Sequence, residues 1–236
     1  MTIKAAIFDV FGTCVDWRRG VAEAIAPTFS EKGVAFDPYT FADAWRDEYQ
    51  PGMETVRSAG RPYTALDVLH RENLDRALTA TGLEGVFTDS EKDTLNHAWE
   101  KLPGWTDVPE GLAAIRAKLL VAPCSNGSIA LMSRLARFAG LEWDAILGAD
   151  VARNYKPEPV VYTASAAAFG LAPQEVLMVA AHNGDLAAAR ETGLRTAFIP
   201  RPTEHGPGQT KDLEPTSDWD FVAADFHALA EQLPAA

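Results

Sequence analysis

Cysteine is scarce: Cys14 and Cys124 are the only two in 236 residues, and neither belongs to a Cys-x-x-Cys pair. A disulfide framework and a thiolate metal site are therefore excluded as organising devices. No stretch approaches the roughly 20 uninterrupted apolar residues that span a bilayer. The opening residues 1 to 13 lack a long apolar signal region and a small-residue cleavage site, so the expectation is a cytoplasmic protein with no membrane partner. Positive charge is in deficit, 21 Lys and Arg against 33 Asp and Glu, giving a formal charge of -12. Such a field repels nucleic acid but leaves room for one local positive pocket that holds a small anion. No internal repeat or low-complexity tail stands out. Apolar residues are plentiful at 47%, enough for an α/β core with a smaller domain set into it.

Several apolar runs end in polar turns. Ala5 to Asp9 closes on an acid and is followed by Val10-Phe11-Gly12-Thr13; Leu119 to Cys124 closes on Ser125-Asn126-Gly127-Ser128. Val176 to Ala180 leads into Ala181-His182-Asn183-Gly184-Asp185, and Ala145 to Leu147 and Thr196 to Ile199 are shorter candidates. The segments after these turns have helical spacing, clearest in Ile129, Met132, Leu135 and Phe138. A further helical stretch runs through Tyr162 to Phe169, after the turn Asn154-Tyr155-Lys156-Pro157. Repeated strand, turn and helix predict βα units and a mostly parallel sheet. Ligands then gather beyond the carboxyl ends of the strands, where Asp9, Ser125, Lys156 and the 181–185 turn can share one crevice. Between Trp17 and Trp99 the pattern is helical throughout, in Val21 to Phe29, Phe41 to Tyr49, Ala65 to Thr79 and Glu91 to Trp99. That exceeds an ordinary crossover, and predicts a helical cap at 17–99 inserted into a core of 1–16 and 100–236.

An acid ending an apolar strand must be solvated or used. Asp9 fits a nucleophile for covalent catalysis as well as a turn cap, and Thr13 fits a cap too. Cys14 and Cys124 lie in apolar surroundings with no Cys-His-acid arrangement, and read as buried small side chains. His205, in the proline-flanked segment 200–207, reads as part of an exposed or subunit-facing loop.

Taken in order, Asp9-Val10-Phe11-Gly12-Thr13, Ser125-Asn126, Lys156-Pro157 and Asp185 resemble the four signature segments of the haloacid dehalogenase superfamily. The resemblance covers nearly the whole chain. It implies a Rossmann-like parallel-sheet core of that type carrying the inserted cap. Magnesium-dependent phosphatases of the superfamily have a second Asp two residues after the nucleophile, where this chain has Phe11, which cannot transfer a proton. They also begin the fourth segment with a Gly-Asp pair, where this chain has Ala180 and Ala181. Losing a carboxylate there removes a magnesium ligand and its charge. What remains is similar to the L-2-haloacid dehalogenase branch, whose members use neither metal nor cofactor.

That resemblance implies that Asp9 displaces halide from a short L-2-haloacid in line, and that water cleaves the resulting aspartyl ester to release a 2-hydroxy acid. Halide needs no proton, so Phe11 is acceptable and lines the substrate site. Lys156 holds Asp9 ionised, and Thr13 supports it. Ser125 and Asn126 match positions that bind the substrate carboxylate, and Arg46 matches an arginine that receives the halide or orients the acid. Trp45 and Tyr63 are candidates for the apolar wall. Tyr162 matches a tyrosine that steadies the carboxylates, and Asp185 an acid that fixes Lys156 and the hydrolytic water. His182 stands where an asparagine is usual and is a candidate base for that water, with Asn183 helping to orient it. Each of these also has an ordinary packing or turn-bonding role open to it. Phosphomonoester hydrolysis with the same nucleophile is the rival activity, and non-enzymatic anion binding the second. Fluoride departure would demand a tight pocket with strong donors. A homodimer is compatible with the resemblance, although no apolar stripe separate from domain packing is visible.

Overall fold

The computed structural model describes residues 2–58 and 60–234. Six parallel strands form one sheet in the order β3-β2-β1-β4-β5-β6. These are β1 (Ala5–Phe8), β2 (Leu120–Ser125), β3 (Leu147–Gly148), β4 (Val176–Ala180), β5 (Arg195–Phe198) and β6 (Phe221–Val222). Every residue of β1 and β4 is buried, because a parallel sheet is covered on both faces. Alternation does the sorting: Ala6, Phe8, Leu177 and Val179 join the core on one face, and Ala5, Ile7, Val176, Met178 and Ala180 the core on the other.

Helices fill both layers. Between β1 and β2 come α1 (Trp17–Glu31), α2 (Pro38–Asp47), α3 (Tyr49–Arg57), α4 (Leu66–Ala80), α5 (Asp89–Asn96), a 3₁₀ turn (His97–Glu100) and α6 (Val108–Arg116). After β2 come α7 (Ile129–Ala139), α8 (Ala149–Ala152), α9 (Pro159–Ala168), α10 (Asn183–Glu191) and α11 (Phe226–Gln232). Local chemistry sets several ends. The Asp16 side chain accepts from Arg19 N to open α1, the Ser128 side chain accepts from Leu131 N to open α7, and Gly140 closes α7 with φ +69°. No helix among the described residues is long and apolar enough to cross a membrane.

Differences from the sequence reading are local. The periodic stretch Phe41 to Tyr49 is two helices, broken at Glu48 and continuing as α3 through Pro51 and Gly52. Glu91 to Trp99 begins as α5 and tightens into a 3₁₀ turn. Neither β6, α6 nor α11 was expected. In α6, Pro109 and Gly111 mimic a turn, yet Gly111 is where α11 packs: a Cβ there would lie 2.4 Å from Cβ of Phe226.

The topology places the site. The chain leaves β1 for β2 and β3 on one side, then returns to β4 on the other. The carboxyl ends of β1 and β4 thus flank a switch point, where a crevice opens. Asp9 follows β1 directly, and Ala181 to Asp185 follow β4.

Candidate active site

Asp9 is held from several elements at once. Its backbone N–H donates to Val179 O at 3.0 Å, which fixes it against β4. On the carboxylate, Oδ1 accepts from Lys156 Nζ at 2.8 Å, while Oδ2 accepts from Thr13 Oγ1 at 2.7 Å and faces His182 Nδ1 at 3.1 Å. Thr13 Oγ1 in turn accepts from the Ala181 N–H at 2.8 Å, tying the first turn to the fourth. Lys156 Nζ also donates to Asp185, whose other oxygen accepts from Tyr162 OH at 2.6 Å. Asn126 Oδ1 accepts from the Lys156 N–H at 2.8 Å, so the second turn positions the lysine.

These contacts decide the charge states. Burial alone would raise the Asp9 carboxyl, but the Lys156 cation and the bond to His182 overrule it and hold the group well below the usual carboxylate range. Burial would also discharge Lys156, and the carboxylates of Asp185 and Asp9 instead raise its pKa well above the ordinary value. Asp9 is therefore an ionised, desolvated carboxylate.

His182 is not a neutral imidazole. Its Nε2 lies 2.9 Å from Glu204 Oε2, so both ring nitrogens face carboxylate oxygens. Two acceptors require two N–H donors, which only the imidazolium supplies. Burial favours the neutral ring, but Glu204 and the bond to Asp9 outweigh it and raise the pKa well above 6.5. A cationic ring has no lone pair for a water proton, so the expectation of a base at His182 does not fit the resting site.

Opposite Asp9, α2 and α3 supply the wall of a cavity of about 620 Å³ lined by Asp9, Phe11, Arg46, Tyr49, Lys156 and His182 among others. Arg46 lies over the Tyr49 ring at 3.9 Å, with Trp17 at 5.2 Å and Phe11 at 5.8 Å. Among the described residues its Nη1 is buried without a hydrogen-bond partner. An unpaired guanidinium nitrogen in an aromatic cage is a ready site for a small anion.

The residues do not fit a divalent cation. Asp9 already has a cation against each oxygen, Ala181 offers no side-chain oxygen, and no three His, Cys, Asp or Glu side chains converge as a metal site among the described residues. The two thiols do not compete as nucleophiles either, since burial pushes Cys124 up to about 12 and Cys14 well above its ordinary value.

The family model of haloacid dehalogenase-like hydrolases matches residues 3–193. The chain belongs to this family. Among solved structures of haloacid dehalogenases, a defluorinating L-2-haloacid dehalogenase is 48% identical, with TM-score 0.95, covering 98% of this chain and 95% of that one. Another L-2-haloacid dehalogenase is 42% identical, with TM-score 0.93, covering 98% of each chain. An (S)-2-haloacid dehalogenase of Xanthobacter autotrophicus is 29% identical over 201 residues, 84% of this chain and 76% of the relative.

Within this haloacid dehalogenase-like site, Asp9, Phe11, Arg46, Asn126, Lys156, His182 and Asp185 line one cavity, with Thr13 and Tyr162 bonded to its carboxylates. Four other expected residues neither line it nor bond its carboxylates. Trp45 is buried among the cap helices, where its indole donates to His70 O at 3.0 Å and meets Trp99 edge-on. One residue further along the helix, Arg46 takes the cavity-facing position. Tyr63 donates to Asp150 Oδ1 at 2.6 Å and lies against Tyr155. Ser125 is buried behind Asn126 and accepts from the Gly127 N–H at 3.1 Å, a turn-forming role. The Asn183 side chain donates to Asp212 and Glu214 and accepts from Thr216 and Trp219. With both amide ends engaged in pinning the 212–219 loop, it has no group left to orient water.

His205 lines the cavity rather than only a loop surface, and Glu204 beside it was missed. The missed residue had one positional signal: its loop follows β5 at the sheet's ligand-bearing edge. Tyr49, also unforeseen, was legible as the i+3 neighbour of Arg46 on a helical stretch.

Trp45→Phe gives a direct check of its structural placement. It removes one buried hydrogen bond, so stability should fall by about 1–2 kcal/mol while kcat and KM stay within about threefold. Urea unfolding beside steady-state kinetics measures both, and a large kinetic loss without a stability change would put Trp45 back in the site.

Proposed function

We propose that the chain hydrolyses short L-2-haloacids, such as 2-chloropropionate, and chloroacetate to 2-hydroxy acids through an ester on Asp9. The observation that carries this reading is the ionised Asp9 carboxylate facing an anion-receptive cavity, with Phe11 two residues on, where phosphoryl chemistry would want an acid. Oδ1, which holds only Lys156, attacks the halogen-bearing carbon in line, inverting it. Oδ2 keeps its two donors, Thr13 and His182. Halide departs toward Arg46, whose unpartnered Nη1 meets the developing charge. Helices α1 to α5, the proposed cap at 17–99, close the far wall with Arg46 and Tyr49.

Water then attacks the carbonyl carbon of the Asp9 ester, oriented by Asp185. The latter lines the cavity and accepts from Lys156 Nζ. Collapse breaks the bond to the substrate oxygen. One proton of the water leaves on the hydroxy acid and the other passes to solvent, balancing the halide already released.

The test is release of halide against phosphate from short haloacids and phosphomonoesters, with and without magnesium. Halide release indifferent to magnesium is expected; phosphate release that requires magnesium, with no halide, would overturn the reading. Because one similar protein is a defluorinating L-2-haloacid dehalogenase, fluoroacetate belongs in the same assay. Arg46→Lys keeps the charge but loses the planar contact with Tyr49, and should lower kcat/KM by about 10²-fold or more for chloropropionate. A variant within threefold of wild type would remove Arg46 from the halide's path.

A further inference from the structure

We propose that Glu204 is a positioning residue that keeps His182 as an imidazolium after Asp9 has lost its charge to the ester, so that Nδ1–H stabilises the oxyanion formed during ester hydrolysis. This rests on the aspartyl-ester reading above and goes beyond it in assigning Glu204 and the electrophilic role of His182.

The acid is seated from four sides. Its Oε2 faces His182 Nε2 at 2.9 Å, and its Oε1 accepts from Trp17 Nε1 at 3.0 Å. His205 Nε2 is 3.5 Å from Oε1. The fourth side is Gly12, whose φ is +91° and whose absent Cβ would fall 2.1 Å from Oε1. The glycine of the first signature segment thus serves twice, turning the chain after Asp9 and vacating the space the carboxylate occupies. Arg201 holds the loop in register, donating to Thr13 O at 2.9 Å and pairing with Asp107 at 2.8 Å. Glu204 is almost completely buried, so it is a built feature rather than a surface acid.

Charge accounting gives the acid its role. At rest His182 lies between the Asp9 and Glu204 carboxylates, with Lys156 and Asp185 beyond Asp9, His205 and Arg46 near Glu204, and Lys211 also lining the cavity. Alkylation erases the Asp9 charge and leaves Lys156 as a nearby cation that disfavours a second one. Among the described residues Glu204 is then the one carboxylate in contact with the ring, and it keeps the proton on. When water adds to the Asp9 carbonyl carbon, the electron pair moves onto Oδ2, the atom that Nδ1–H and Thr13 already address. Collapse returns the pair and expels the hydroxy acid as described. His182 neither gives nor takes a proton.

The alternative, a neutral His182 acting as base, predicts the opposite pH dependence. Ester hydrolysis should be measured in rapid-quench single turnovers by mass spectrometry of the Asp9 peptide, in wild type, Glu204→Gln and His182→Gln, across pH 5–10. Halide release in the first turnover should change less than tenfold in Glu204→Gln. The ester should accumulate, with hydrolysis slowed by about 10²-fold or more in His182→Gln. Wild-type hydrolysis should fall as pH rises, and Glu204→Gln should move that fall to lower pH by about one unit or more. In resting ¹⁵N-labelled wild type, both His182 ring nitrogens should carry protons at pH 8, which requires no variant to fold. Hydrolysis that rises with pH, a Glu204→Gln profile superimposable on wild type, or a neutral resting ring would each overturn the proposal. Absence of any Asp9 ester in wild type and in His182→Gln would instead defeat the covalent reading beneath it.

Discussion

Asp9→Ala should abolish dehalogenation, lowering kcat/KM by about 10⁴-fold or more, because it removes the nucleophile and leaves only binding and oriented cations. The companion measurement uses wild-type protein turning over many times in isotopically labelled water. Solvent oxygen should appear in the Asp9 side chain, because each cycle removes Oδ1 with the product and replaces it from water. Direct attack of water on the substrate carbon would leave Asp9 unlabelled while the product gained the label in its first turnover. The two routes therefore place the same atom in different molecules, and one peptide mass decides. A variant retaining a tenth of wild-type activity, or an unlabelled Asp9 after many cycles, would end the covalent account even if halide were released. Removing Asp9 from the buried ionic cluster costs some stability, but Lys156 keeps Asp185, His182 keeps Glu204 and alanine keeps the backbone bond to Val179, so urea unfolding should still show a folded variant.

Much of this site is legible in the sequence. Asp9 stands out as an acid ending an apolar strand, although a turn cap reads the same way, and Lys156 and Asp185 gain their roles from the resemblance to the signature segments. The parallel sheet was visible in runs such as Val176 to Ala180, where both faces are buried and no alternation dilutes the signal. Legibility fails where identity and direction separate. Trp45 and Arg46 are adjacent on α2, so a shift of about 100° around the axis decides which one sees the cavity, and an unaligned helix does not state its phase. Ser125 and Asn126 divide in the same way at the end of β2, one inward and one toward the cavity. Asn183 lies between site residues in sequence, yet its amide is taken by Thr216 and Trp219, more than thirty residues away. Glu204 is the extreme case. It belongs to an irregular loop and acquires its function from Trp17, Gly12 and His182, none of them close in sequence. The two-residue β6 escaped for a related reason, since so short a strand has no periodicity to detect.

Lys156→Met should cost both activity and stability. The lysine is the one cation bonded to Asp9 and Asp185 together, and methionine fills a similar volume without charge. Removing one partner from a buried ionic cluster costs about 3–5 kcal/mol, because the remaining charges stay desolvated. For Asp9, burial already pulls the carboxyl upward and Lys156 is the largest influence opposing it, so without the lysine the balance tips toward the neutral acid. The sign of the pH effect follows. In wild type the depressed Asp9 pKa contributes stability that is complete above the unfolded value of about 3.9 and is lost as pH falls through the folded one. In the variant Asp9 titrates higher when folded than when unfolded, so the folded state is penalised most at neutral pH and relieved by protonation. The stability gap between the two proteins should therefore be widest near pH 7 and narrow steadily toward pH 4, as urea unfolding at several pH values would register. Activity should fall by at least about 10³-fold at pH 7, and what remains should rise with pH as Asp9 ionises. A gap independent of pH would mean that Lys156 contributes packing alone, leaving the charge of Asp9 to be set by His182 and Thr13.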